Sequence, residues 1–105
     1  MRPPAFSGFD WDEGNRQKCV SHGVSRRDIE SLFTRPFSVF PDPAHSRQET
    51  RYLAIGTTDK GRHIFLAFTI RQRAGVNLIR PISARFMHNK EIVHYEKETS
   101  KAEKR

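Results

Sequence analysis

The chain has 105 residues, 35% of them hydrophobic and 30% charged, with a formal net charge of +7. That length holds one modest core and excludes two, so a single domain over 1–105 is expected, with the ends (1–5 and about 98–105) flexible. The lone Cys19 excludes an internal disulfide and a thiolate zinc site, and no apolar run is long enough to cross a bilayer.

The N-terminus has no apolar leader, and a single cysteine agrees with a reducing compartment, so a cytoplasmic protein without membrane partners is expected. Residues 6–10 read as a short extended lead-in. Asp10 and Glu13 have the spacing of a capping box, which predicts a helix over 11–22 ending at Gly23. A second start is clearer. Ser25 caps with Asp28 three residues on, Val24 staples onto Ile29, and Ile29, Leu32 and Phe33 form one apolar face. Pro36 ends that helix.

The hydrophobic period then changes from helical to two. Residues 37–40 predict a short strand, 41–46 a Pro-rich loop, and 52–57 a strand with Leu53 and Ile55 on one face. Thr58, Asp59, Lys60 and Gly61 signal a hairpin. Residues 63–71 are apolar on both faces and predict a central strand. A turn at 73–75 leads to a strand over 76–83, which Pro81 confines to an edge or a bulge. A charged helix over 89–103 closes the chain, with Ile92 and Tyr95 facing inward. Two helices, an antiparallel meander of about four strands and a final helix make an α+β layered fold. The eight Phe must supply much of the core volume.

Charge is segregated along the chain. Residues 60–90 contain Lys60, Arg62, Arg71, Arg73, Arg80, Arg85 and Lys90 and no acid. A positive field mounted on folded structure suits a polyanion, because Lys and Arg displace the counterions that phosphates condense. The chain shows no metal-ligand cluster, no glycine-rich phosphate loop and no nucleophile elbow, so neither metal nor cofactor is expected.

His22, His45, His63, His88 and His94 are scattered. His22 before Gly23 is most simply a residue at a helix C-terminus, and His63 on a central strand reads as structural. His45 is equally a loop hydrogen-bond former or a site residue. Glu49 and Arg51 share a strand face, either as an exposed ion pair of little worth or as a base and a phosphate clamp. Arg51 shares parity with Leu53 and Ile55, which aims it toward the core side, with Glu49 its nearest partner. Strict alternation puts Arg80 and Arg85 on opposite faces, and either a bulge at Pro81 or the chain leaving the strand after Ser83 would bring them together. They are either phosphate ligands or structural arginines tied to carboxylates of the flanking helices.

The ordered set Phe9-Asp10-Trp11-Asp12, Lys18 with His22-Gly23-Val24-Ser25, Asp42-Pro43-Ala44-His45-Ser46, Glu49-Thr50-Arg51, Ile55-Gly56, Gly61-Arg62, residues 79–85 and Tyr95-Glu96 resembles the BrnT family of type II toxin–antitoxin toxins. Ser21 departs from the basic residue that such proteins often carry before His-Gly. The resemblance implies a RelE-like fold and a ribonuclease that halts translation, neutralised by a BrnA-type antitoxin. Operator DNA would be reached only through that antitoxin. Metal-free RNA cleavage needs a proton acceptor, positive charge on the phosphate and a proton donor. The reading assigns Arg51, Arg80 and Arg85 to the phosphate and Glu49, His45 or His22 to the base. His88 or Tyr95 would be the donor, and Lys18, His22, Lys60, Arg62, Arg71 and Arg73 would hold RNA. The rival reading is a non-catalytic basic module that docks an antitoxin or nucleic acid.

Overall fold

The computed structural model describes residues 5–103, with side chains described for 5–99. Helix α1 (Glu13–Val20) starts at Asp12, whose carboxylate accepts from the Asn15 amide at 3.0 Å. The Asn15 side-chain oxygen accepts in return from the Asp12 amide at 2.7 Å. The cap therefore lies two residues beyond the expected Asp10. The reason is that the chain through Asp10 is still extended: Phe9 bridges Ile79 in parallel, and the Asp10 amide donates to the Ile79 carbonyl at 2.8 Å. A residue so held cannot also begin a helix. Gly23, at φ +87°, takes the left-handed turn after α1 that a side chain would resist. Helix α2 (Arg26–Leu32) starts as expected, with the Ser25–Asp28 capping box formed and Val24, Ile29 and Leu32 fully buried.

Four strands follow: β1 (Ser38–Pro41), β2 (Arg51–Thr57), β3 (His63–Arg73) and β4 (Val76–Phe86), in the order β1-β2-β3-β4 and all antiparallel. The β3–β4 turn is Ala74-Gly75, both with positive φ, the geometry of a tight two-residue hairpin. Helix α3 (Asn89–Glu103) closes the described chain, within the expected bounds. The expectation of flexible ends at 1–4 and 104–105 lies outside the described residues.

Register divides the sheet into two unlike faces. One carries Tyr52, Ala54, Ile64, Leu66, Phe68, Ile79 and Ala84, and packs with Cys19 of α1 and Ile29 and Leu32 of α2 into the core. Gly56 lies on this face because a Cβ there would sit 2.8 Å from Leu32 Cγ and 3.1 Å from Phe37 Cβ. The core centre is mainly aliphatic. Of the eight Phe, only Phe68 is fully buried, while Phe6, Phe9, Phe33 and Phe37 pack around it, with Phe33 5.0–5.8 Å from Phe6, Phe9, Phe37 and Phe68. Burial also pushes the Cys19 thiol up to about 11, which leaves it inert.

The other face carries Arg51, Leu53 and Ile55 of β2, Phe65, Ala67, Thr69 and Arg71 of β3, and Arg80, Ser83 and Arg85 of β4. Arg51 does share parity with Leu53 and Ile55, but this is the face opposite the main core, so it is a half-buried surface arginine. Alternation alone could not say which side the helices would cover.

Candidate nucleic-acid site

The site begins with a bulge. Ala67 pairs with Ser83 and Phe68 pairs with Pro81, so β4 carries one extra residue opposite β3. Proline has no amide hydrogen to give the ladder, and its carbonyl accepts instead from Asn15 Nδ2 at 2.8 Å. The same nitrogen donates to the Asp10 carbonyl at 3.0 Å. Buried Asn15 thus ties the start of α1 to the irregular part of β4. The bulge moves Arg80 to the face that holds Arg85.

Across that face Arg51, Thr69 and Arg80 form one row over three adjacent strands. Strand spacing puts the two arginine Cα atoms about 10 Å apart, a span over which two side chains can converge on one phosphate. Arg71 stands in the next row of β3. These arginines, with Glu49 and with Gly14, Asn15 and Lys18 of α1, line an open pocket of about 280 Å³. A second pocket, of about 440 Å³, is lined by Ala44, His45, Arg47, Gln48, Glu49 and Arg51. The two adjoin at Glu49 and Arg51, which line both, and are together termed the groove below, with His45 in one pocket and Lys18 in the other.

The groove wall is built by the β1–β2 connection. A 3-10 turn over Pro43–His45 follows Asp42. The Asp42 amide donates to the Arg51 carbonyl at 3.1 Å, Ser46 Oγ donates to the Asp42 carbonyl at 2.6 Å, and the Arg51 amide donates to Ser46 Oγ at 3.0 Å. Thr69 Oγ1 donates to the Thr50 carbonyl at 2.7 Å. These bonds close the loop on the first residue of β2 and fix His45 relative to Arg51.

Ion pairing sorts the arginines. Arg80 Nη2 donates to Asp12 at 2.8 Å, and Nη1 lies 3.5 Å from Asp10. Burial pulls the Arg80 guanidinium down, but these two carboxylates outweigh it and its pKa stays raised. The Asn15 amide and then Arg80 hold Asp12 below the usual carboxylate range. Arg73 pairs with Asp10 at 3.3 Å, and Arg71 Nη2 with Glu49 at 3.0 Å. Glu49 therefore serves Arg71 rather than Arg51, its expected partner. The buried Arg71 Nε has no hydrogen-bond partner among the described residues. Arg51 makes no side-chain ion pair among the described residues, which leaves it the cation in the row open to an anion.

Other expected site residues lie elsewhere. Arg85 is on the same face as Arg80 but four positions along β3, about 13 Å away by strand rise. It is held by a double hydrogen bond to Glu91, at 2.7 and 2.8 Å, and lies over the Phe65 ring. His88 precedes α3, and Tyr95 on α3 shares a 2.6 Å hydrogen bond with Ser38. His22 is exposed beyond the end of α1. Lys60 and Arg62 sit at the opposite end of β2 and β3 from the row, Arg62 stacked on Phe86 at 3.5 Å. The groove thus gathers Glu49, Arg51, Arg80, His45, Lys18 and Arg71, and leaves Arg85, His22, His88, Tyr95, Lys60 and Arg62 outside it. Sequence reasoning allowed for carboxylates of the flanking helices on Arg80 and Arg85 but did not name Asp10, Asp12 or Glu91, and it missed Asn15. The only local signal was Asn15 standing three residues after Asp12.

A row of arginines with an adjoining histidine and carboxylate can hold a phosphodiester and carry protons to and from it. Among the described residues no group of three or more His, Cys, Asp or Glu is placed to hold a metal ion, and no helix is long and apolar enough to cross a membrane. A comparison with curated proteins found no match. A family model described as "Ribonuclease toxin, BrnT, of type II toxin-antitoxin system" matches residues 11–91, which include every residue of the groove. The chain belongs to the BrnT family of ribonuclease toxins of type II toxin–antitoxin systems.

Proposed function

We propose that this toxin inhibits translation in the cytoplasm by cutting RNA without a metal ion, in the groove between His45 and Lys18, and that a BrnA-type antitoxin neutralises it. Operator DNA is reached only through that antitoxin. The observation that carries the reading is the row Arg51–Thr69–Arg80, in which two arginines from different strands face one groove and Arg51 has no carboxylate partner among the described residues.

The chemistry proposed uses the groups that line the two adjoining pockets, set on opposite sides of one phosphate. The scissile phosphate sits on Arg51 and Arg80, whose guanidinium groups bind its non-bridging oxygens and the charge that grows on them. At one end His45 takes the proton of the ribose 2′-hydroxyl as that oxygen bonds to phosphorus. At the other end the P–O5′ bond breaks and the leaving oxygen takes a proton from Lys18. The products are a 2′,3′-cyclic phosphate and a 5′-hydroxyl, and no oxidant or reductant is consumed. Glu49, bonded to Arg71, holds that guanidinium beside the phosphate rather than acting as the free base.

The rival reading is a binding module that docks an antitoxin or nucleic acid without cutting. It draws on the ion pairs that already neutralise Arg71, Arg73, Arg80 and Arg85. End-labelled RNA incubated with the purified chain and excess chelator separates the two. Cleavage leaving cyclic phosphate ends is expected. Binding without cleavage, or cleavage abolished by chelator, would overturn the proposal.

A further inference from the structure

The geometry points to Asp42 as a positioning residue that fixes the His45 ring as the Nδ1–H tautomer and so presents Nε2 to the groove as the proton acceptor. The inference rests on the ribonuclease reading above and names a residue that it does not require.

His45 Nδ1 lies 3.1 Å from both carboxylate oxygens of Asp42. A carboxylate is an acceptor only, so in the neutral ring the hydrogen must be on Nδ1 and the lone pair on Nε2. Free imidazole side chains have no such constraint. The two partners differ in exposure: the Asp42 side chain is 13% exposed and that of His45 64%. The carboxylate is therefore the more enclosed member, and with Nδ1 turned to it, Nε2 is the ring nitrogen left without a partner among the described residues. The main chain holds Asp42 in place independently of its side chain. Its amide donates to the Arg51 carbonyl, and its carbonyl accepts from Ser46 Oγ and from the His45 amide at 3.2 Å. The carboxylate makes no bond to cap the turn that follows it. Its hydrogen bonds go to His45, an arrangement that orients a ring rather than stabilises a loop.

This is the logic by which a carboxylate behind a histidine selects the tautomer of a general base; loss of such a partner costs about 10- to 100-fold where it orients a metal-ligating ring and about 10⁴-fold in a buried catalytic triad, and an exposed pair belongs at the lower end. Asp42 is the partner of Nδ1 among the described residues, while Glu49 of the same pocket accepts from Arg71.

The test uses the full chain, a labelled RNA and four forms: wild type, Asp42→Ala, His45→Ala and the double variant. Nitrogen-15 spectra of the imidazole should show Nδ1–H in the wild type and its loss in Asp42→Ala. Single-turnover cleavage should fall about 10- to 100-fold in Asp42→Ala with RNA affinity unchanged. In the His45→Ala background the Asp42→Ala change should have no further effect, because a residue acting through His45 has nothing left to position. A wild-type ring in the Nε2–H form, cleavage by Asp42→Ala within twofold of wild type, or equal losses in both backgrounds would each overturn the inference and leave the ribonuclease reading standing. A wild type that binds but never cuts RNA would remove both.

Discussion

Arg51 and Arg85 stand on the same face of one sheet, and their surroundings give them different work. Arg85 is engaged by its own chain, with two hydrogen bonds to Glu91 and the Phe65 ring beneath it. Arg51 sits where β2 begins, at the meeting of two pockets, with no carboxylate answering it among the described residues. An arginine whose charge is already met contributes to holding a helix on a sheet; one whose charge is unmet is available to a phosphate. Arg80 lies between these cases. It is bonded to Asp12 yet shares a row with Arg51, so its carboxylates fix the guanidinium in place within the groove.

The contrast is broken most directly by truncating each arginine. Arg51→Ala should lower RNA cleavage on the order of 10²- to 10³-fold with the fold intact, the size of losing one donor to a developing oxyanion. Arg85→Ala should leave cleavage within a few-fold of wild type. Equal losses in a single-turnover assay would show that the two regions are not distinct.

Asn15 tests whether the bulge is what places Arg80. Asn15→Ala leaves the Asp10 and Pro81 carbonyls without their donor. It should cost about 1–3 kcal/mol in denaturant unfolding, the penalty for unsatisfied buried polar groups, and should lower cleavage as well. A variant as stable as wild type would show that α1 does not hold the bulge.

Smaller effects belong to the region of the paired Arg85. Removing the half-exposed Arg85–Glu91 pair through Arg85→Ala should cost at most about 1 kcal/mol, as for exposed ion pairs generally. The pair should also be visible against pH. Arg85, and then the His88 amide, hold Glu91 at about 2 in the fold against an ordinary 4.5. A carboxyl depressed by folding adds stability above its unfolded pKa and loses it as pH falls. The advantage of wild type over Glu91→Gln in thermal melts should therefore be full above pH 4.5 and fade between 4.5 and about 2. An advantage that persists at the acid end would place its origin elsewhere.

Much of this was legible in the chain. The Ser25–Asp28 box, the Thr58 to Gly61 hairpin and the helix over 89–103 are local events, set by capping, turn chemistry and period, and they form where the residues indicate. Pro81 announced an edge strand or a bulge because its ring removes a ladder donor, and β4 has both. The cap of α1 was misplaced by two residues because what holds Asp10 extended is a strand 69 residues downstream, Ile79. The acid-free segment over 60–90 suggested a positive field suited to a polyanion. In the fold, Asp10, Asp12, Glu49 and Glu91 arrive from outside it and neutralise Arg71, Arg73, Arg80 and Arg85.

By itself the sequence determined the elements, their order and the presence of more cationic side chains than acids, because those properties depend on neighbours within a few residues and on simple counting. Tertiary structure alone decided which arginines remain cations toward solvent. That outcome depends on register, on one extra residue opposite Phe68, and on which distant carboxylate the fold brings within 3 to 4 Å of each guanidinium. Coulomb attraction and hydrogen bonding act at that range and not along the chain, so charge order in a sequence does not fix charge at a surface.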